Sequence, residues 1–219
     1  MSILTLVFFV GGIALVLWIA FRAFRRNAER MRRVADELGF TFHGPGEEPP
    51  GAPESTGAQR LLKDLKPWRV TGTRDDVAVA IYLETRGSGK NRTTYSIVEA
   101  SFPRPLAFTM LVYRESAMAK FGKAVFGLKD IEVGSEQFDK AVRIKGSDPE
   151  RIARLLSGSG IQDRILTALQ ASPTVTVTEK AALWEKRGTV EKADTYQQAM
   201  ELVVPIVRAL KDAHAFEPD

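Results

Sequence analysis

Ile3 to Phe21 is a run of 19 residues without a charged side chain, and six arginines follow at once: Arg22, Arg25, Arg26, Arg30, Arg32 and Arg33. As a helix the run is about 29 Å long at roughly 1.5 Å per residue, enough for the hydrocarbon core of a bilayer. Trp18 stands near its end, where an indole prefers the interface. The rival is a cleaved signal peptide, which needs a basic leader, a shorter apolar core and a small-x-small cleavage site. The run exceeds that core and is followed directly by arginines, so the sequence predicts a retained transmembrane helix over 3–21. Positive residues stay on the cytoplasmic side. The expected topology is therefore a single pass with the N-terminus out and the rest of the chain in the cytoplasm.

The arginine cluster also explains the net charge. Residues 22–33 carry six bases and one acid, whereas the rest of the chain holds 25 bases against 26 acids. The pI near 9.4 comes from one short segment. A nearly neutral remainder removes the electrostatic argument for nucleic-acid binding. The cluster is a topology signal, and the same arginines are candidates for contact with anionic lipid heads: Arg22, Arg25, Arg26 and Arg30. The chain has no cysteine and two histidines, His43 and His214. That excludes a disulfide scaffold, a thiolate metal site and a cysteine nucleophile, and no metal, cofactor or catalytic residue is assigned.

A juxtamembrane basic helix is expected over 22–43. Phe24, Ala28, Met31, Ala35 and Leu38 form a narrow seam, with Gly39 as its stop. The seam suits packing on the chain's own domain; the alternative is a parallel homodimer. Residues 44–57 hold four glycines, four prolines and three glutamates, and read as a linker. Residues 58–219 are then expected to fold on their own as an α+β cytoplasmic domain with an antiparallel sheet and several helices. Strands are predicted at 68–73 and 77–84 around a turn at Arg74-Asp75-Asp76, at 94–102 and 106–114 around Pro103-Arg104-Pro105, and at 138–145. A short extended piece covers 131–133. Asp148 and Pro149 open one helix. A second runs from Ile161 to Ser172, a hairpin covers 174–187, and Asp194 with Gln197 opens a last helix.

The glycine-rich tip between the second and third of these strands carries Arg86, Lys90 and Arg92, a second candidate for membrane-surface contact. Gly87-Ser88-Gly89-Lys90 lacks the upstream glycine and the following Ser or Thr of a phosphate loop, and it joins two strands. Asp130, Glu132, Glu136 and Asp139 cluster without EF-hand spacing and without a nearby histidine.

Leu38-Gly39-Phe40-Thr41-Phe42, the tip from Arg86 to Arg92, and Asp130 to Gly134 followed by Phe138-Asp139 and Ser147-Asp148-Pro149 together resemble a group of bacterial single-pass membrane-anchored proteins of unknown function. The resemblance implies a bacterial inner membrane and adds no catalytic residue. The leading expectation is a non-enzymatic, membrane-anchored interaction domain whose partners are membrane lipid and an unidentified protein. The alternatives are an anionic-lipid-sensing domain and an unidentified hydrolase-type enzyme.

Overall fold

The computed structural model describes residues 15, 18, 22, 25–44, 47, 68–87, 89–115, 128–158 and 160–213. The predicted transmembrane run lies outside them except for Leu15 and Trp18, which are helical and exposed. Among the described residues no helix is long and apolar enough to cross a membrane. Most of the predicted 44–57 linker also lies outside them.

The fold is α+β. Nine strands form one sheet: β1 (Thr41–His43), β2 (Arg69–Arg74), β3 (Val77–Arg86), β4 (Thr93–Ser101), β5 (Met110–Tyr113), β6 (Lys129–Asp130), β7 (Arg143–Gly146), β8 (Thr176–Thr178) and β9 (Ala181–Arg187). Their order is β1-β2-β3-β4-β9-β8-β5-β7-β6, and every neighbouring pair is antiparallel. The helices are α1 (residues 25–38), α2 (Glu136–Ala141), α3 (Pro149–Leu156), α4 (Ile161–Ala171) and α5 (Ala193–Asp212).

Alternation along the strands decides which face is packed. On β3, Val77, Val79 and Ile81 enter the core; on β4, Val98 and Ala100 do, and on β9, Ala182 and Trp184. The same core holds Met31 and Val34 from α1, Phe138 from α2, Ile152 from α3, Ile165 from α4 and Tyr196 from α5. All five described helices therefore cover one face. The opposite face carries Thr71, Ala80, Tyr82, Ile97, Glu99 and Glu185, in register across β2, β3, β4 and β9.

Local chemistry explains most of the boundaries. Asp75 and Asp76 both sit in the left-handed region, at φ 49° and 60°, the conformation a two-residue type I′ hairpin turn requires. The Asp148 carboxylate accepts from the Arg151 amide at 3.1 Å, with Pro149 in the first turn of α3.

Three segments differ from expectation. The helix predicted over 22–43 ends at Leu38. Gly39, at φ 69°, turns the chain, and Thr41–His43 becomes the first strand of the sheet. Met31, Val34 and Ala35 are at most 2% exposed, so α1 and β1 share the core and sheet of the segment from 58 onward. Second, 138–145 is a helix and then a strand. The Asp139 carboxylate accepts from the amides of Val133 and Gly134 at 3.0 and 3.1 Å, and Gly134 has φ 82°. This loop folds back onto a short helix, and a short apolar spacing fits either period. Third, α5 begins at Ala193 and has no side-chain cap, so the Asp194–Gln197 capping pair does not form. Tertiary contacts set its start: Ser96 Oγ accepts from the Val190 amide at 2.9 Å and donates to the Gly188 carbonyl at 2.9 Å.

Candidate functional site: a basic end and an open groove

The sheet register sorts the functional candidates between the two ends of the molecule. β3 spans ten residues, about 30 Å at roughly 3.3 Å per step. At one end Arg86 opposes Thr93, and the turn Gly87–Arg92 joins β3 to β4. The Gly188 amide bonds the Thr94 carbonyl at 2.8 Å, so β9 finishes beside the same tip. The start of α5 is there too, because the Tyr196 hydroxyl donates to the Val190 carbonyl at 2.9 Å. That hydroxyl also lies 3.9 Å from Met31 Sδ, and Arg30 pairs with Glu191. α1 then runs away from this end, since the chain that leaves it enters β1 with Thr41 opposite Thr71. The residues before Met31 therefore project toward the tip.

The predicted arginines of α1 therefore lie toward the same end of the molecule as the tip. Arg22 stacks over the Trp18 ring at 5.1 Å, one helical turn back. Arg25 and Arg26 are exposed, as are Lys90 and Arg92 on the tip. Arg187 and Lys192 are exposed on the adjoining β9–α5 connection, and the sequence reading did not single them out.

Arg86 does something else. Its guanidinium donates to Glu185 Oε1 at 2.6 Å and Oε2 at 3.1 Å and to Glu84 Oε2 at 2.7 Å, and it covers the Tyr95 ring at 5.0 Å. Glu185 is only 8% exposed. The Glu84 and Glu185 carboxylates push the Arg86 guanidinium above its ordinary value, against the pull of partial burial. Arg86 thus holds β3 to β9 across β4 and neutralises a buried carboxylate. Its guanidinium is committed inside the fold, unlike the Lys90 and Arg92 groups beside it.

The other end of the open face holds a groove of about 820 Å³. Its floor is shallow side chains: Thr71, Gly72 and Thr73 of β2, Ala78 and Ala80 of β3, and Ser101 of β4. At Gly72 any Cβ would run into the Phe40 ring behind it. One wall is a polar network. Glu99 accepts from the Tyr82 hydroxyl at 2.8 Å and from Ser101 Oγ at 3.1 Å, with Arg69 Nη2 at 3.7 Å. Arg69 also lies over the Tyr82 ring at 4.9 Å. Burial, then the nearby Glu99 charge, pushes the Tyr82 phenol well above its ordinary value. His43 Nε2 and Thr71 Oγ1 are 2.7 Å apart at the β1 side. The opposite rim is Pro103-Arg104-Pro105 with Lys180.

The acidic loop is mostly structural. Asp139 ties the loop at 133–134, Asp130 pairs with Lys145 at 3.0 Å, and Glu136 pairs with Lys140 at 2.6 Å. It borders a cleft of about 420 Å³ that also contains Arg143 and Lys145. Among the described residues no group of three or more His, Asp or Glu is arranged to hold a metal ion. His214 lies outside the described residues.

A one-sided α+β sheet with a basic end and a groove at the far end is the class of architecture these residues define. No protein-family model and no curated protein matches the chain. Among solved structures it is similar to the crystal structure of the mycobacterial trehalose monomycolate transport factor A, TtfA. The identity is 13% and the TM-score 0.47, over 89% of this chain and 98% of that one. A likeness at that level assigns no function.

Proposed function

We propose that this chain is a non-enzymatic, membrane-anchored interaction domain that sits on the cytoplasmic face of a bacterial inner membrane and rests its basic end on anionic lipid. The observation that carries this reading is the convergence of the α1 N-terminus with the Gly87–Arg92 tip. The apolar run and its arginines lead into α1 at the end where Lys90, Arg92, Arg187 and Lys192 are exposed. Leu15 and Trp18 supply the exposed large apolar side chains among the described residues, which favours lipid over an apolar protein-binding patch on the domain. Each basic residue near an anionic surface contributes about 1 kcal/mol. Tethering makes such weak contacts effective, because the tip never leaves the vicinity of the headgroups.

The chain has no cysteine, so Asn91→Cys gives a single labelling position on the tip. The full chain is reconstituted into vesicles with and without phosphatidylglycerol, and the label is read against a headgroup-bound quencher. Flotation with both vesicle types is expected. Quenching should appear with anionic lipid only and decline as salt rises past about 0.15 M, where screening acts over about 8 Å. Lys90→Ala with Arg92→Ala should weaken it. A chain that fails to float overturns the anchor. One that floats with equal quenching in neutral vesicles overturns the electrostatic seat.

A further inference from the structure

The groove at the far end is not used by that reading, and its chemistry is specific. Arg104 stands between Pro103 and Pro105, and both ends of this loop are pinned to the β8–β9 turn. The Phe102 amide donates to the Lys180 carbonyl at 2.9 Å, and the Leu106 amide donates to the Glu179 carbonyl at 2.8 Å. Phe102 and Leu106 are buried on either side of the loop. The backbone thus fixes two cationic residues, Arg104 and Lys180, on one rim. Arg104 makes no ion pair among the described residues, and Lys180 reaches only Glu179, at 4.0 Å. Both side chains are exposed, so their mutual repulsion is weak and screened, and both can reach an anion in the groove. Glu179 flanks Lys180, and the Glu99 carboxylate across the groove is already engaged by Tyr82, Ser101 and Arg69.

Between rim and wall the floor is shallow and carries hydroxyls, from Thr41, Thr71, Thr73 and Ser101. A space of about 820 Å³ falls in the range of small-molecule sites, roughly 300–1,000 Å³. We infer that this groove binds a hydroxyl-rich small anion of the sugar-phosphate class. Arg104 and Lys180 take its charged group through charge-assisted hydrogen bonds. The floor hydroxyls of Thr41, Thr71 and Thr73 exchange hydrogen bonds with its hydroxyls. The rim is preorganised by its prolines and backbone bonds, so little ordering entropy opposes binding. The groove lies at the end away from the proposed membrane seat, which suits a soluble ligand.

The test is calorimetric titration of the full chain in nanodiscs of neutral lipid, with glucose 6-phosphate, fructose 1,6-bisphosphate, glucose and inorganic phosphate as probes. At least one sugar phosphate should saturate, about tenfold or more tighter than glucose and inorganic phosphate, a factor typical of one charge-assisted contact. Arg104→Ala with Lys180→Ala should lower that affinity about tenfold or more on the same grounds. Ala78→Leu, which fills the floor from an exposed position, should abolish binding. Lys90→Ala with Arg92→Ala, at the other end, should leave it unchanged. Thermal melts of each variant separate lost binding from lost folding. Absence of saturable binding by either sugar phosphate at millimolar concentration overturns the inference. So does a signal that inorganic phosphate matches, or one that survives Ala78→Leu. None of these outcomes touches the membrane reading, which is scored by tip quenching.

Discussion

Tyr196 illustrates how one side chain joins distant parts of the sequence. It is fully buried; its hydroxyl donates to the Val190 carbonyl and lies against Met31, so it fastens α5 to the β9 exit and to α1. Burial pushes its phenol up to about 12, whereas an unfolded tyrosine titrates near 10. The neutral phenol is therefore the folded form. Its contribution is complete below about pH 10 and is lost as pH rises through about 12. Tyr196→Phe should cost about 1–2 kcal/mol at neutral pH, because the Val190 carbonyl loses its side-chain donor. It should also reduce the decline of stability above pH 10. Urea unfolding of the variant and parent from pH 7 to 11 checks both. Arg86 teaches a related lesson. From spacing alone it belongs with Lys90 and Arg92 on a solvated tip, yet the register puts it beside Glu185, two strands and 99 positions away.

At the scale of elements, α1 and β1 carry the main consequence. α1 buries Met31, Val34 and Ala35 against α5 and the sheet, while β1 caps the β2 edge over three residues. Each buried Met or Val side chain is worth about 1.5–3 kcal/mol, and whole domains are stable by only about 5–15 kcal/mol. A chain beginning at residue 58 should therefore aggregate or melt well below one beginning at residue 25, which should show a single cooperative transition in calorimetry. Equal melting of the two would mean that α1 and β1 add nothing to the folded unit. Within the seam that predicts α1, Met31 and Ala35 are buried and Leu38 packs against the core, while Phe24 lies outside the described residues. What covers it is decided by α5, more than 150 residues later, so the choice between self-packing and a homodimer was not local information. The acidic loop is parallel: its residues were visible, but the capture of two amides by Asp139 depends on the turn at Gly134.

For the molecule as a whole, the prediction concerns orientation. If the run at 3–21 anchors the chain as proposed, the tip end should face the bilayer and the groove should face away from it. A reporter active only in the cytoplasm, fused after Asp219, should give signal, and one active only in the periplasm should be silent. The reverse would place the basic end and the groove on the other side. The arginine cluster, the linker composition, the Asp148 cap and the Asp75–Asp76 turn are all written in residues within a few positions of one another, because hydropathy, capping and turn chemistry act over that range, and the α+β class follows from the succession of such local signals along the chain. The order of nine strands, the entry of Thr41–His43 into the sheet and the helix at 136–141 were decided only in three dimensions. So were the Arg86–Glu185 pair and the groove between the Glu99 network and Arg104. Each depends on which strands become neighbours, and that is set by burial of one shared face, a property of the assembled sheet that no local window contains.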